Sequence, residues 1–208
     1  LEYLTVEGIK SVLNAVETSS RTGLRDLTLL SLMYDSAARV QEIADLSVND
    51  FRAEKPSTLR LTGKGSKTRI VPLMSTTSDL VSKYISIYHP SYRGEYNVPL
   101  FSNRKKEKLT RAGIAYILKK YVKIAREKQP DLIPEIVSPH GLRHSKSMHM
   151  LQAGVPLIYI RDFLGHSEIS TTEIYYDKQI LMTSCPGGYT VLLKYPPEQL
   201  SIINASIH

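Results

Sequence analysis

Six side chains spread along the sequence are of types that can work together on a phosphodiester: Arg39, Lys64, His140, Arg143, His166 and Tyr175. A phosphoryl transition state gathers extra negative charge on its oxygens. Arg39 and Arg143 suit that charge because a guanidinium is always protonated and can meet phosphate oxygens with parallel donors. A departing sugar alkoxide needs a proton, and Lys64, flanked by Gly63 and Gly65, can carry one on a turn. A phenol has a reference pKa of about 10, so a tyrosyl nucleophile needs a neighbour to take its proton, a task a neutral imidazole can perform near neutral pH. A tyrosine that attacks phosphorus stays bonded to it, and a hydroxyl can later displace it, so no ATP is required. No carboxylate cage for magnesium is evident, and neither a metal nor a cofactor is expected.

Each of these residues also has a plainer reading. Arg39 lies in Ala38-Arg39-Val40-Gln41-Glu42-Ile43, where Glu42 stands at the i+3 spacing of a helical ion pair. Lys67 and Arg69 compete with Lys64 as the proton donor. His140 and His144 have an i, i+4 spacing that can hold zinc, but no nearby Glu completes a protease-like motif; helix packing or a phosphate contact is the simpler role for His144. His166, after Leu164-Gly165, could merely cap a helix end. Tyr176 is a direct rival to Tyr175, and most of the 13 tyrosines are packing residues.

The elements that must position these groups are legible in the periodicity. Thr5 is a plausible N-cap for an opening amphipathic helix with Leu4, Ile9, Val12, Leu13 and Val16 on one face. From Arg25 to Leu46 dense apolar residues predict a largely buried helix, with a turn near Ser36 to Ala38 and Arg39 inside that core segment. Alternation over Ser57 to Leu73, broken by Gly63-Lys64-Gly65-Ser66, predicts a hairpin with Lys64 on its turn. Residues from Tyr88 to Leu109 read as connection. Thr110 then caps a helix burying Ile114, Ile117, Leu118, Tyr121 and Val122, and Lys119, Lys120, Lys123, Arg126 and Lys128 decorate it, either as a solvated face or as phosphate contacts.

Pro139 should start the helix that carries His140, Arg143, His144, Met148 and Leu151 and that stops at Gly154; another follows Pro156 and ends at Gly165. Ser170-Thr171-Thr172-Glu173 has the form of a capping box, so Tyr175 and Tyr176 are expected in the first turns of a helix. Adjacent helical residues point about 100° apart, and only one of the two can face a given site. Beyond Asp177, Cys185-Pro186-Gly187-Gly188 forbids helix, and Tyr189 to Leu193 reads as a strand or apolar tail.

Composition narrows the class. The chain has 208 residues with 42% hydrophobic content, enough for a real core, and 27 Lys and Arg against 20 acidic residues give a formal charge of +7, which favours polyanionic partners. The single Cys185 cannot close an intrachain disulfide, a pattern that fits a reducing, cytoplasmic compartment. No apolar run approaches the roughly 20 residues of a membrane helix, and Leu1-Glu2-Tyr3-Leu4 does not read as a signal peptide.

The ordered set Ala38-Arg39-Val40, Gly63-Lys64-Gly65, His140-Gly141-Leu142-Arg143-His144, Leu164-Gly165-His166 and Thr171-Thr172-Glu173-Ile174-Tyr175 resembles the tyrosine recombinases of the phage-integrase family. The likeness runs from Leu4 to Tyr176 and includes that family's nine-residue step from the Gly-His histidine to the tyrosine. It implies a mainly α fold with a small antiparallel β-sheet around Asp50 to Leu73, a catalytic domain over residues 1–180, and an atypical tail over 181–208. The implied activity is site-specific cleavage and rejoining of double-stranded DNA through a 3′-phosphotyrosine on Tyr175, with self-association as a tetramer on DNA, in the service of a mobile element. Arg39 and Arg143 would hold the phosphate, Lys64 would be the general acid, and His140 the base, with His166 hydrogen-bonded to the phosphate. Such recombinases usually also carry an N-terminal clamp, which is expected either to have been trimmed or to be absent from a reduced protein. The tail departs from the family's docking helix, which keeps a second reading in view: a DNA-binding remnant without productive strand exchange.

Overall fold

The computed structural model describes residues 3–20, 22–95 and 97–165. In chain order these form α1 (Val6–Asn14), α2 (Gly23–Asp35), α3 (Val40–Asp45), β1 (Phe51–Arg52), β2 (Thr58–Thr62), β3 (Thr68–Pro72), α4 (Ser75–Tyr88), α5 (Arg111–Lys128), α6 (Pro139–Gln152) and α7 (Leu157–Leu164). Among the described residues the architecture is mainly helical, with one antiparallel sheet in the order β1-β2-β3. The chain divides into two compact units, residues 1–146 and 147–208.

The first unit is built on the faces that periodicity marks as apolar. Thr5 caps α1 by accepting the Gly8 amide at 3.0 Å, and Ile9 and Val12 turn inward. Leu29, Leu30, Leu32 and Met33 of α2, and Ile114, Leu118 and Val122 of α5, are all buried. α2 packs on α4, and α1 and α3 pack on α5. Within this core the Asp26 carboxylate takes the Arg25 guanidinium at 2.7 Å and the Tyr121 hydroxyl at 2.9 Å, so it fastens α2 to α5. Burial, then the Asp26 hydrogen bond, push the Tyr121 phenol up to about 12. That phenol stays protonated and serves as a donor.

In the sheet, Leu59 lies opposite Val71 and both are buried, while Arg60 and Ile70 form the outward pair beside them. This alternation pins the hairpin register, because a one-residue slip would expose the apolar set. Helix α4 leaves no clear apolar period in the sequence. Its buried face is Thr77, Ser78, Val81 and Tyr84, and two polar residues among four conceal the apolar period.

Thr110 caps α5 by accepting the Gly113 amide at 3.1 Å. Because that hydroxyl satisfies an otherwise unpaired amide of a long helix, Thr110→Ala is expected to cost about 1 kcal/mol. A urea titration should show a lower midpoint at unchanged slope.

In the second unit the described residues continue α6 and add α7. The Val155 amide returns to the Met150 carbonyl at 3.0 Å, around Gly154 at φ +79°, and Gly165 ends α7 at φ +66°, as expected for glycines closing helices. No helix of the described residues is long and apolar enough to cross a membrane.

Candidate active site

The turn between α2 and α3 is the centre of the arrangement. Ser36 closes α2, its hydroxyl donating to the Leu32 carbonyl at 2.6 Å. Ala37 follows at φ +46°, fully buried, a conformation that costs a residue with a Cβ about 1–2 kcal/mol. Two residues later Arg39 is extended and stands as the N-cap of α3. Arg39 is therefore not inside a core helix, as its apolar surroundings in sequence suggest; 47% of its side chain faces solvent.

Glu42, one turn into α3, is the residue on which this site is hung. Its carboxylate is 2% exposed and accepts four hydrogen bonds: the Arg39 amide at 2.7 Å, Arg39 Nη1 at 3.1 Å, and Arg69 Nη1 and Nη2 at 2.7 and 2.8 Å. Burial works to raise the pKa of Glu42, but the Arg69 hydrogen bonds, the Arg39 amide and the two guanidinium charges outweigh it and hold the carboxyl below its ordinary value. The helical pair foreseen between Arg39 and Glu42 exists. The bidentate partner is Arg69 of β3, whose two Nη nitrogens are both engaged on Glu42 and fasten the hairpin to α3.

Lys64 rides on the hairpin turn Lys64–Ser66, exposed, as its glycine neighbours predict. Gly65 takes φ +72° with open space around it, so conformation rather than room demands glycine there. Gly63 serves a different purpose: a Cβ would come within 3.2 Å of Glu42 Oε1, so its absence lets the hairpin base settle on that carboxylate.

α6 supplies the other groups. Ser138 caps it by accepting the Gly141 amide at 3.1 Å, and Pro139 takes the first helical position, where its missing N–H costs nothing. His140 is exposed in this first turn, whereas Arg143, one turn on, is buried and donates from Nη1 to the Ala37 carbonyl at 2.6 Å. His144 is buried with Tyr3 edge-on at 6.0 Å, which favours packing over a phosphate contact. Among the described residues no three His, Cys, Asp or Glu side chains gather as a metal site.

The fold thus brings Arg39, the Lys64 hairpin and Arg143 to the segment 37–42, although they lie far apart in sequence. His140 shares α6 with Arg143, three residues before it in the first turn of the helix. His166, Tyr175 and Tyr176 lie outside the described residues. A surface pocket just after α5 is lined by Arg126, Pro130 and Ile133 to Ile136, and Lys119, Lys120 and Lys123 are exposed along α5.

Residues 2–181 match the phage integrase family. The chain belongs to that family, the tyrosine recombinases. The tyrosine recombinase XerD of Listeria monocytogenes serotype 4b is 33% identical over 179 residues, covering 84% of this chain and 57% of its own length. XerD of Xanthomonas campestris pv. campestris is 36% identical, covering 83% and 54%. The chain therefore spans little more than half the length of these relatives. Among solved structures, XerH site-specific recombinase bound to palindromic difH substrate in a post-cleavage complex aligns with a TM-score of 0.72 at 28% identity, covering 86% of this chain and 51% of that one. XerA recombinase, at 21% identity and a TM-score of 0.72 over 88% of this chain and 65% of its own, shares the phage-integrase catalytic fold.

Proposed function

We propose that the chain is the catalytic part of a site-specific recombinase, which cleaves and rejoins double-stranded DNA in the cytoplasm through a 3′-phosphotyrosine on Tyr175. The observation that supports this most is the convergence of Arg39, the Lys64 hairpin and Arg143 on residues 37–42. Two permanent cations and a lysine-bearing hairpin that meet one segment are what charge on a phosphate and a proton for its leaving group call for.

In the cleavage step Tyr175 Oη attacks the scissile phosphorus, the bond from phosphorus to the 5′ oxygen breaks, and the phosphate remains on Tyr175. Arg39 and Arg143 oppose the charge on the non-bridging oxygens, with His166 hydrogen-bonded beside them. His140 takes the phenol proton, and Lys64 Nζ protonates the departing 5′ oxygen. In rejoining, a 5′-hydroxyl returns its proton, attacks the phosphotyrosine and releases Tyr175, so the chain ends unchanged.

Duplex DNA as the substrate is supported by the DNA-bound XerH relative and by the exposed Lys119, Lys120 and Lys123. Phosphate contacts then supply most of the affinity and make it fall with salt. A synaptic tetramer follows from strand exchange between two duplexes, and the likeness of the motifs to mobile-element integrases favours a mobile element as the source.

The test uses nicked suicide duplexes carrying candidate attachment sites from the source locus, without metal. A protein–DNA adduct that survives denaturant is the expected result. Salt-sensitive binding with no adduct on any of these duplexes would remove the recombinase reading and leave the DNA-binding remnant.

A further inference from the structure

Arg143 and Lys146 stand three residues apart on α6, so their side chains leave the same face of the helix. Both end on the three-residue segment that closes α2. Arg143 Nη1 donates to the Ala37 carbonyl at 2.6 Å, and Lys146 Nζ meets Asp35 Oδ1 at 3.3 Å. The ion pair is out of water, with Lys146 4% and Asp35 3% exposed. The second oxygen of Asp35 accepts the Met74 amide at 2.8 Å, at the N-terminus of α4. Lys146 Nζ also lies 5.2 Å from the centre of the Tyr34 ring. Every one of these contacts lies within the 1–146 unit.

A buried ion pair is an expensive way to fill space, since apolar side chains of similar volume often serve stability equally well. What the pair adds is direction. Asp35 and Ala37 flank a turn whose left-handed Ala37 needs outside contacts to persist, and that turn sets the course of the chain into Arg39. We propose that Lys146, through Asp35, is a positioning residue that fixes the spacing between the guanidinium groups of Arg143 and Arg39. Lys146 itself is too buried to touch DNA. The pair rests on the proposed recombinase reading for its use, because two cations must match the oxygens of one phosphate, and a displacement of about 1 Å can cost on the order of 100-fold in rate.

The decisive variants are Lys146→Met and the double variant Lys146→Met/Asp35→Leu, which removes both charges and restores apolar packing if the single change fails to fold. Single-turnover adduct formation at saturating suicide duplex is expected to fall 10-fold or more in the double variant. Its DNA affinity should stay within error of the parent, while its melting temperature falls somewhat because Asp35→Leu also takes the acceptor from the Met74 amide. A rate equal to the parent's in a stably folded double variant would overturn the proposal, as would a rate loss matched by an equal loss of affinity. A readout independent of turnover is hydrogen exchange of the Arg143 guanidinium protons, expected to be slow in the parent and fast in the double variant. If the parent forms no adduct, the recombinase reading fails by itself, and unchanged Arg143 exchange would then refute the positioning role separately.

Discussion

Tyr175→Phe is expected to abolish covalent adduct formation on suicide duplexes while leaving salt-sensitive DNA binding unchanged. The substitution removes one oxygen, the atom that the proposed mechanism bonds to phosphorus, and no arrangement of cations can replace it. Affinity carried by Lys and Arg contacts to phosphates does not depend on that oxygen. Tyr176→Phe is the necessary companion. The capping-box pattern Ser170-Thr171-Thr172-Glu173 predicts a helix there, on which neighbouring side chains diverge by about 100°, so only one of the two tyrosines is expected to reach the phosphate. The adduct should persist in Tyr176→Phe. Loss confined to Tyr176→Phe would move the nucleophile by one residue, and an adduct in both single variants but not in the double would mean that either phenol can serve.

Glu42→Ala is expected to be the most destabilising single change near the site, by about 3 kcal/mol. Removing one partner of a buried pair leaves the other uncompensated, and Arg69, at 13% side-chain exposure, has little water to turn to. The half-exposed Arg39 contributes less, since solvent screens it. For a domain of this size the loss corresponds to a melting temperature lower by about 10 °C. Arg69→Ala should give a smaller loss, and the double variant should fall short of the sum, which a double-mutant cycle measures directly. Additive losses would mean that Glu42 and Arg69 do not act as a unit.

The pH dependence follows from the direction of the Glu42 shift. Its folded pKa lies below the unfolded value of about 4.3, so the ionised carboxylate contributes stability above that pH and loses it as pH falls through the folded pKa. The stability difference between the parent and Glu42→Gln should therefore be full near neutral pH and shrink in acid. A difference constant from neutral to strongly acidic pH would show that charge is not what Glu42 supplies.

The residue types and order of Arg39, Lys64, His140, Arg143, His166 and Tyr175 are properties of the sequence, and they point to phosphoryl transfer before any fold is known. So are α1, α5 and the hairpin, because their caps, periods and glycines act over a few residues. Helix α4 escaped because its buried face includes Thr77 and Ser78, whose places are decided by the neighbours they pack against. The exposure of Arg39 escaped because the apolar residues around it reach the core while the N-cap position turns its own side chain outward. Arg69 on Glu42, Arg143 on the Ala37 carbonyl and Lys146 on Asp35 join residues 27, 106 and 111 positions apart. Local sequence determines which cations the chain carries and which helix or turn bears each. Only tertiary packing decides which buried acceptor each one finds, because a long-range ion pair has no period and exists only after the desolvated space around it has formed.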